Sequence, residues 1–407
     1  MQLVERHVIN KNHKHYQEID RLSFLSKNLY NAANYLVRQE FIKHGKFLNY
    51  NSIQKALQNG IDYKALPAKV SQQILMGLDK NWQSFFQSVK AYWKHPELFL
   101  GRPNLPNYKD KVKGRNLLVY TIQAIGKKAL KSKQLICPSQ TSVEIKTSIK
   151  SEAVAQVRII PKLNHYVVEV IYKQAIYDSG LDKSNVAGID LGVDNLAAVT
   201  SNVIGFIPLV ANGRPLKSIN QYFNKKKAGL QSTVRHKTTN KIQKLCTKRN
   251  FKVDDYLHKA SRLIINRLVN NNIGTLVVGK NDNWKQESNI GKRNNQNFVQ
   301  IPHERLIHQL KYKAELVGIH VVATEESYTS QASFLDLDPI PAYKQGIKHT
   351  FSGKRIQRGM YKSKLNRKIN ADVNGSYNII RKVVPKAFIN GIEGVVVHPV
   401  RLNLQTS

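Results

Sequence analysis

VAGIDLGVDNLAAVTSN, residues 186–202, is the stretch whose reading decides the fold of this 407-residue chain. The apolar run Val186, Ala187, Gly188, Ile189 ends on one carboxylate, Asp190. Leu191-Gly192-Val193-Asp194-Asn195 turns the chain, and the alternating run Leu196 to Thr200 carries it back. That pattern predicts a β-hairpin with an acid at the tip of its first, buried strand. Burying a lone carboxylate is costly, so an acid so placed is normally paired or holds a metal ion.

Outward from that hairpin, bulk charge is the strongest signal. Lys plus Arg is 64 against 27 Asp plus Glu, a formal net charge of +37. A folded protein this basic repels itself unless a polyanion neutralises it, so nucleic acid is the natural partner. The length allows roughly two to four domains. No apolar run approaches the ~18 residues that span a bilayer, so no membrane is expected. The N-terminus lacks the apolar core of a secretion signal. Two distant cysteines, Cys137 and Cys246, offer neither a disulfide framework nor a zinc pattern. A cytoplasmic, nucleoid-associated protein is the expectation.

Along the chain, residues 1–15 read as one strand and residues 16–105 as helices. Ile19, Leu22, Leu25 and Leu29 recur at helical spacing. Pro67 opens a helix whose stripe Val70, Ile74, Leu78, Trp82, Phe85, Phe86 reads as core. Its other side carries Lys69, Gln72 and Gln73, side chains able to read a DNA groove. Residues 106–178 switch to short alternating strands, an all-β domain read as a small barrel that the N-terminal strand can join. From 186 the order is three strands, helix, strand, helix, strand, basic segment, helix, which fits one α/β layer. The basic helical stretch 216–270 includes Lys225, Lys226 and Arg235. The loop 281–301 holds Lys285, Lys292 and Arg293, and the segment 331–369 holds Lys354 and Arg355. All are candidate phosphate contacts. The tail from Pro385 reads as loosely structured.

Asp190 on the first strand, an acid on a later strand and Asp372 in the first turn of the last helix can converge in such a layer. Bunched carboxylates repel unless divalent cations sit among them. Two such cations can activate a water and stabilise the leaving oxygen of a phosphodiester.

The segments SKNLYNAANYLVRQ (26–39), ALPAKVSQQIL (65–75), GIDLGVDNLAAV (188–199), DYLHKASRLI (255–264), GKRNNQNFVQIP (291–302), YTSQASF (328–334) and NADVNGSYNIIRK (370–382) resemble the TnpB/OrfB family of insertion-sequence proteins, relatives of the type V CRISPR effectors. The resemblance implies a transposon-associated, RNA-guided DNA endonuclease with guide RNA and double-stranded DNA as partners and two Mg²⁺ ions as cofactors. It implies an α/β multidomain layout. A β-barrel wedge domain (1–15 and 106–178) would be split by a helical recognition domain (16–105). An RNase H-like (RuvC) nuclease domain (184–327 and 369–384) would follow, with a nucleic-acid-binding insertion (328–368) and a tail (385–407).

Two departures from the family pattern matter. The family usually carries its second catalytic Glu at the end of the fourth strand of the layer, where this chain has Gly279. Glu326, expected to end the neighbouring strand about 4.8 Å away, is the expected substitute, with Asp282 a weaker alternative. The expected catalytic and metal-binding set is therefore Asp190, Glu326 and Asp372, with Asn374 or Asn378 as candidates to orient a ligand. The insertion also has Ala332 and Leu335 where family members hold zinc with cysteines. No zinc is expected, and packing of Phe334, Leu335, Ile340, Tyr343 and Phe351 would hold the insertion. The runner-up reading is a nuclease-inactive RNA-guided DNA binder or repressor. A transposase that joins DNA ends without guide RNA is the third.

Overall fold

The structure is a computed structural model that describes residues 1–234, 238–280, 291–344, 346–389, 391–402 and 404, with the backbone alone at 292–294. The chain divides into two compact units, 1–174 and 175–407. No helix among the described residues is long and apolar enough to cross a membrane.

The first unit begins with β1 (Gln2–Asn10), then the helices α1 (Tyr16–His44), α2 (Tyr50–Leu57), α3 (Ile61–Lys64) and α4 (Ala68–Lys94). Gly45 closes α1 in the left-handed conformation (φ 64°), and the Asn49 side chain accepts from Ser52 N at the start of α2. The α4 stripe is core as far as Trp82, whose indole N–H donates to Asn34 Oδ1 at 3.1 Å. Phe85 and Phe86 are only half-buried and pack against it.

The β part holds β2 (Leu118–Thr121), a short helix α5 (Lys127–Lys133) that the alternation did not predict, then β3 (Leu135–Ile136), β4 (Ile145–Lys146), β5 (Val154–Pro161) and β6 (His165–Lys173). β1 does join this part across the helices, pairing antiparallel with β6 from Gln2–Lys173 to Asn10–His165. The sheet order is β1-β6-β5-β2, with β3-β4 a separate pair. Among the described strands, then, the main sheet has β1 and β2 as edges.

The second unit is built on β7 (Asp182–Leu191), β8 (Asn195–Ser201) and β9 (Leu209–Asn212). The long basic stretch is two helices, α6 (Arg214–Ser232) and α7 (Asn240–Asn270). β10 (Ile273–Gly279), α8 (Lys292–Gln300), α9 (His303–Glu315) and β11 (His320–Thr324) follow. The hairpin strands β12 (Lys354–Gln357), β13 (Met360–Lys362) and β14 (Lys368–Asn370) form a small sheet that leads into α10 (Ala371–Val383) and finally β15 (Val400–Leu402). The main sheet is mixed, in the order β11-β10-β7-β8-β9-β15.

Strand periodicity gives this sheet two buried faces. Ala187, Ile189, Leu276 and Val278 pack with α7 and α9 residues such as Leu257, Ile264, Leu306 and Leu310. Val186, Ala198 and Val277 face α10, against Val373, Ile379 and Ile380. Asp190, in phase with Val186, therefore sits on the α10 face. The tail departs from the loose expectation. Phe388 packs edge-on against the stacked pair Phe334–Tyr377, Tyr377 Oη donates to Val396 O at 2.8 Å, and β15 pairs in parallel with β9. Buried aromatic surface and unpaired edge groups of β9 tie down a segment whose composition looked featureless.

Candidate active site

Parallel register brings β10 beside β7. Val277 pairs with Gly188 and Val278 with Ile189, which sets Gly279 next to Asp190. On its other side Gly279 pairs with Thr324, the last residue of β11. Glu326 lies two residues beyond that strand, in a turn, and its side chain runs back to Gly279. A Cβ at 279 would overlap Glu326 Oε1 and fall 2.7 Å from Glu326 Cγ. The carboxylate thus fills the volume that a side chain at 279 would need.

Asp372 enters from α10. Asn370 caps that helix, its Oδ1 accepting from Asp372 N at 3.0 Å and Val373 N at 3.2 Å, so the acid falls in the first turn, where the helix dipole favours an anion. Asn195, at the start of β8, donates its amide to Asp372 Oδ2 at 2.6 Å. One turn on, Gly375 lets the helix approach Asp190, since a Cβ there would lie 2.6 Å from Asp190 Oδ2.

The electrostatics report how close these groups are. Burial first, then the charges of Glu326 and Asp372, push the Asp190 carboxyl well above the usual range, with Arg355 pulling the other way. Burial, then the charge of Glu325, raises Glu326 to about 7, against the pull of Lys382. Glu325 is exposed and pairs with Lys382. Among the described residues no three His, Cys, Asp or Glu side chains are already drawn to metal-ligand spacing. The donor chemistry, three carboxylates of which Asp190 feels the charges of the other two, could hold a hard divalent cation.

Asn374 and Asn378 take a different part from the ligand-orienting one expected. Both are fully buried and hold the backbone of the 329–334 loop. Asn374 accepts from Phe334 N at 2.9 Å and donates to Ala332 O at 2.8 Å, while Asn378 donates to Thr329 O at 2.9 Å and Ala332 O at 2.8 Å. Their spacing of four sets both amides on one helix face, where they meet the backbone of the same loop.

The packing expected to hold the insertion is also revised. Phe334 and Leu335 are buried, but Tyr343 is 64% exposed and Ile340 and Phe351 only partly covered. A hydrogen-bonded knot does much of the holding instead. Asp338 accepts from Ser333 N (2.8 Å), Ser352 N (3.0 Å) and Ser352 Oγ (2.6 Å). Asp336 accepts from Ser333 Oγ (2.6 Å), Ser352 Oγ (3.0 Å) and Lys364 N (2.8 Å). Tyr361, buried and not singled out from sequence, adds a bond to Gln331 O at 2.7 Å. Asp338→Ala is expected to cost about 2–4 kcal/mol, because it strands two backbone N–H groups. Faster hydrogen exchange confined to 331–364 would be its signature.

Of the basic candidates, Lys69, Lys225, Lys226, Lys354 and Arg355 are exposed, and Gln72 and Gln73 half-buried. Arg358, at the β12–β13 turn, pairs with Asp194, which Lys217 also holds at 2.6 Å. Arg235, Asp282 and Lys285, and the side chains of Lys292 and Arg293, lie outside the described residues.

Comparison with known proteins adds an independent observation. Residues 165–285 match the OrfB_IS605 family, described as "Probable transposase", and residues 303–379 match the Cas12f1-like TNB domain. A TnpB-like protein, ORF457 of Acidianus two-tailed virus, is 24% identical over 423 residues, covering 95% of this chain and 85% of the relative. The chain is similar to the TnpB/OrfB family. The first family match spans Asp190, and the second spans both Glu326 and Asp372. In fold the chain is similar to Cas12f1, solved in complex with sgRNA and target DNA, with a TM-score of 0.52 at 15% identity over 89% of this chain and 83% of that one. At that identity the likeness speaks for the fold alone.

Proposed function

We propose that this transposon-associated protein is a metal-dependent, RNA-guided DNA endonuclease. One observation carries the reading: the Glu326 side chain occupies the space beside Asp190 that Gly279 leaves open, and Asp190 feels the charges of both Glu326 and Asp372. Asp190, Glu326 and Asp372 would supply the oxygen donors for two Mg²⁺ ions. When bound, those ions activate a water and neutralise the scissile phosphate. Asn195 fixes the orientation of Asp372 through its amide. Arg355, exposed and close enough to act on Asp190, offers a cation to an incoming phosphate. Strand choice would belong to pairing with the guide, and Lys69, Gln72 and Gln73 on α4 would read a short flanking motif. The wedge, recognition and RuvC-like assignments of the segments, and an insertion that contacts nucleic acid without zinc, are part of the same proposal.

The test is the RNA that copurifies with the chain. A discrete, structured species is expected, and the loaded protein should cut DNA that matches its guide in Mg²⁺. Binding should fall by about 10³-fold or more between 50 and 200 mM salt if six or more phosphates are neutralised. A random RNA smear would overturn guided targeting. Gly279 favours one second reading, a guided binder without nuclease activity. It requires guided binding with no cleavage under any divalent metal.

A further inference from the structure

An acid carried on a strand is aimed by the ladder of the sheet, whereas Glu326 sits beyond the end of β11 and needs another support. The turn that carries it is held from several sides. Thr329 donates both N–H (3.1 Å) and Oγ1 (2.9 Å) to the carbonyl of Glu326 itself. Asn378 in turn donates to Thr329 O at 2.9 Å. Lys382, one turn further along α10, donates to Ser327 O at 3.1 Å and to both Glu325 oxygens at 2.5 and 2.9 Å. Between these anchors Tyr328 takes a left-handed conformation, φ 65°, that a bulky residue adopts only when its surroundings impose it. Its ring packs on His349, with centroids 5.0 Å apart, and on Phe351 at 6.0 Å.

We infer that Thr329, Asn378 and Lys382 are positioning residues that hold the Glu326 backbone so that its carboxylate lies over Gly279. α10 would then orient two acids: Asp372 directly, and Glu326 through Asn378 and Lys382. This rests on the reading that Glu326 holds metal. Loss of an outer partner of a metal ligand weakens metal affinity about 10–100-fold.

The experiment measures Mn²⁺ binding to the full-length chain with its copurified RNA, from the loss of the free-ion EPR signal. Glu326→Gln supplies the baseline for ions held by RNA. Thr329→Val and Lys382→Met should each weaken the protein site by about tenfold while the melting temperature stays within a few degrees, and Lys382→Arg should restore binding. If Glu326→Gln binds like the parent, the metal reading fails and this inference with it. If Glu326→Gln loses the site but Thr329→Val and Lys382→Met both keep it, only the positioning role is overturned. A loss in Lys382→Met that Lys382→Arg does not restore would assign Lys382 to folding and remove it from the set.

Discussion

Glu326→Gln is expected to lose guided DNA cleavage by roughly 10³-fold or more, with guide and target binding unchanged. Gln keeps the shape of the side chain but removes a charged oxygen from the proposed metal site, where bound cations would stabilise the transition state by several kcal/mol, and each 1.36 kcal/mol is tenfold in rate. The same substitution should raise the melting temperature in metal-free buffer, because it removes one of the negative charges acting on Asp190. Loss of cleavage together with a gain in stability separates a functional acid from a structural one. Cleavage at the parental rate would exclude Glu326 as a metal ligand. A lower melting temperature would assign the side chain to the fold.

Gly279→Ala is expected to cut cleavage by about 10–100-fold while changing stability by no more than about 1 kcal/mol. The new methyl collides with Glu326 Oε1 and Cγ and with Ile379 Cδ1, which lies 2.6 Å away. The glutamate is the free end of a flexible side chain and gives way first. A displacement of about 1 Å at a reacting group can cost 10²-fold in rate. Stability is buffered because strain at Ile379, about 1–2 kcal/mol, is offset in part by relief of the glycine cost within a strand, about 0.5–1 kcal/mol. Parallel measurement of cleavage and thermal unfolding checks the split. Unchanged cleavage would mean that Glu326 acts from elsewhere or not at all.

Much of the sheet could be read from the chain. The run at 186–189 is continuous because both faces of β7 are covered, and its in-phase acid falls at the strand end. The antiparallel neighbour β8 and the return of the N-terminal strand to the first β domain were open to reading from alternation, while the choice of β6 as that strand's partner came with the structure. α5 was hidden because a seven-residue helix flanked by two-residue strands carries too short a period to detect. The tail was hidden because its anchors, Phe388 and Val396, meet partners more than ten residues away. Asn374 and Asn378 were assigned toward a ligand because an accessible amide and a buried one look identical in sequence.

The order of residues alone determined the mixed α/β layer, the demand for a polyanion, the strand-end place of Asp190 and the first-turn place of Asp372. Each is a local property, set by periodicity, charge count or capping chemistry within a few positions. Only the tertiary structure decided that the Glu326 side chain doubles back onto Gly279, that α10 grips the turn that carries it, and that Ser333, Asp336, Asp338 and Ser352 knot the insertion. Those outcomes depend on parallel register and on which of many equivalent hydroxyls and amides comes within 3 Å, and only the packed chain sets these distances.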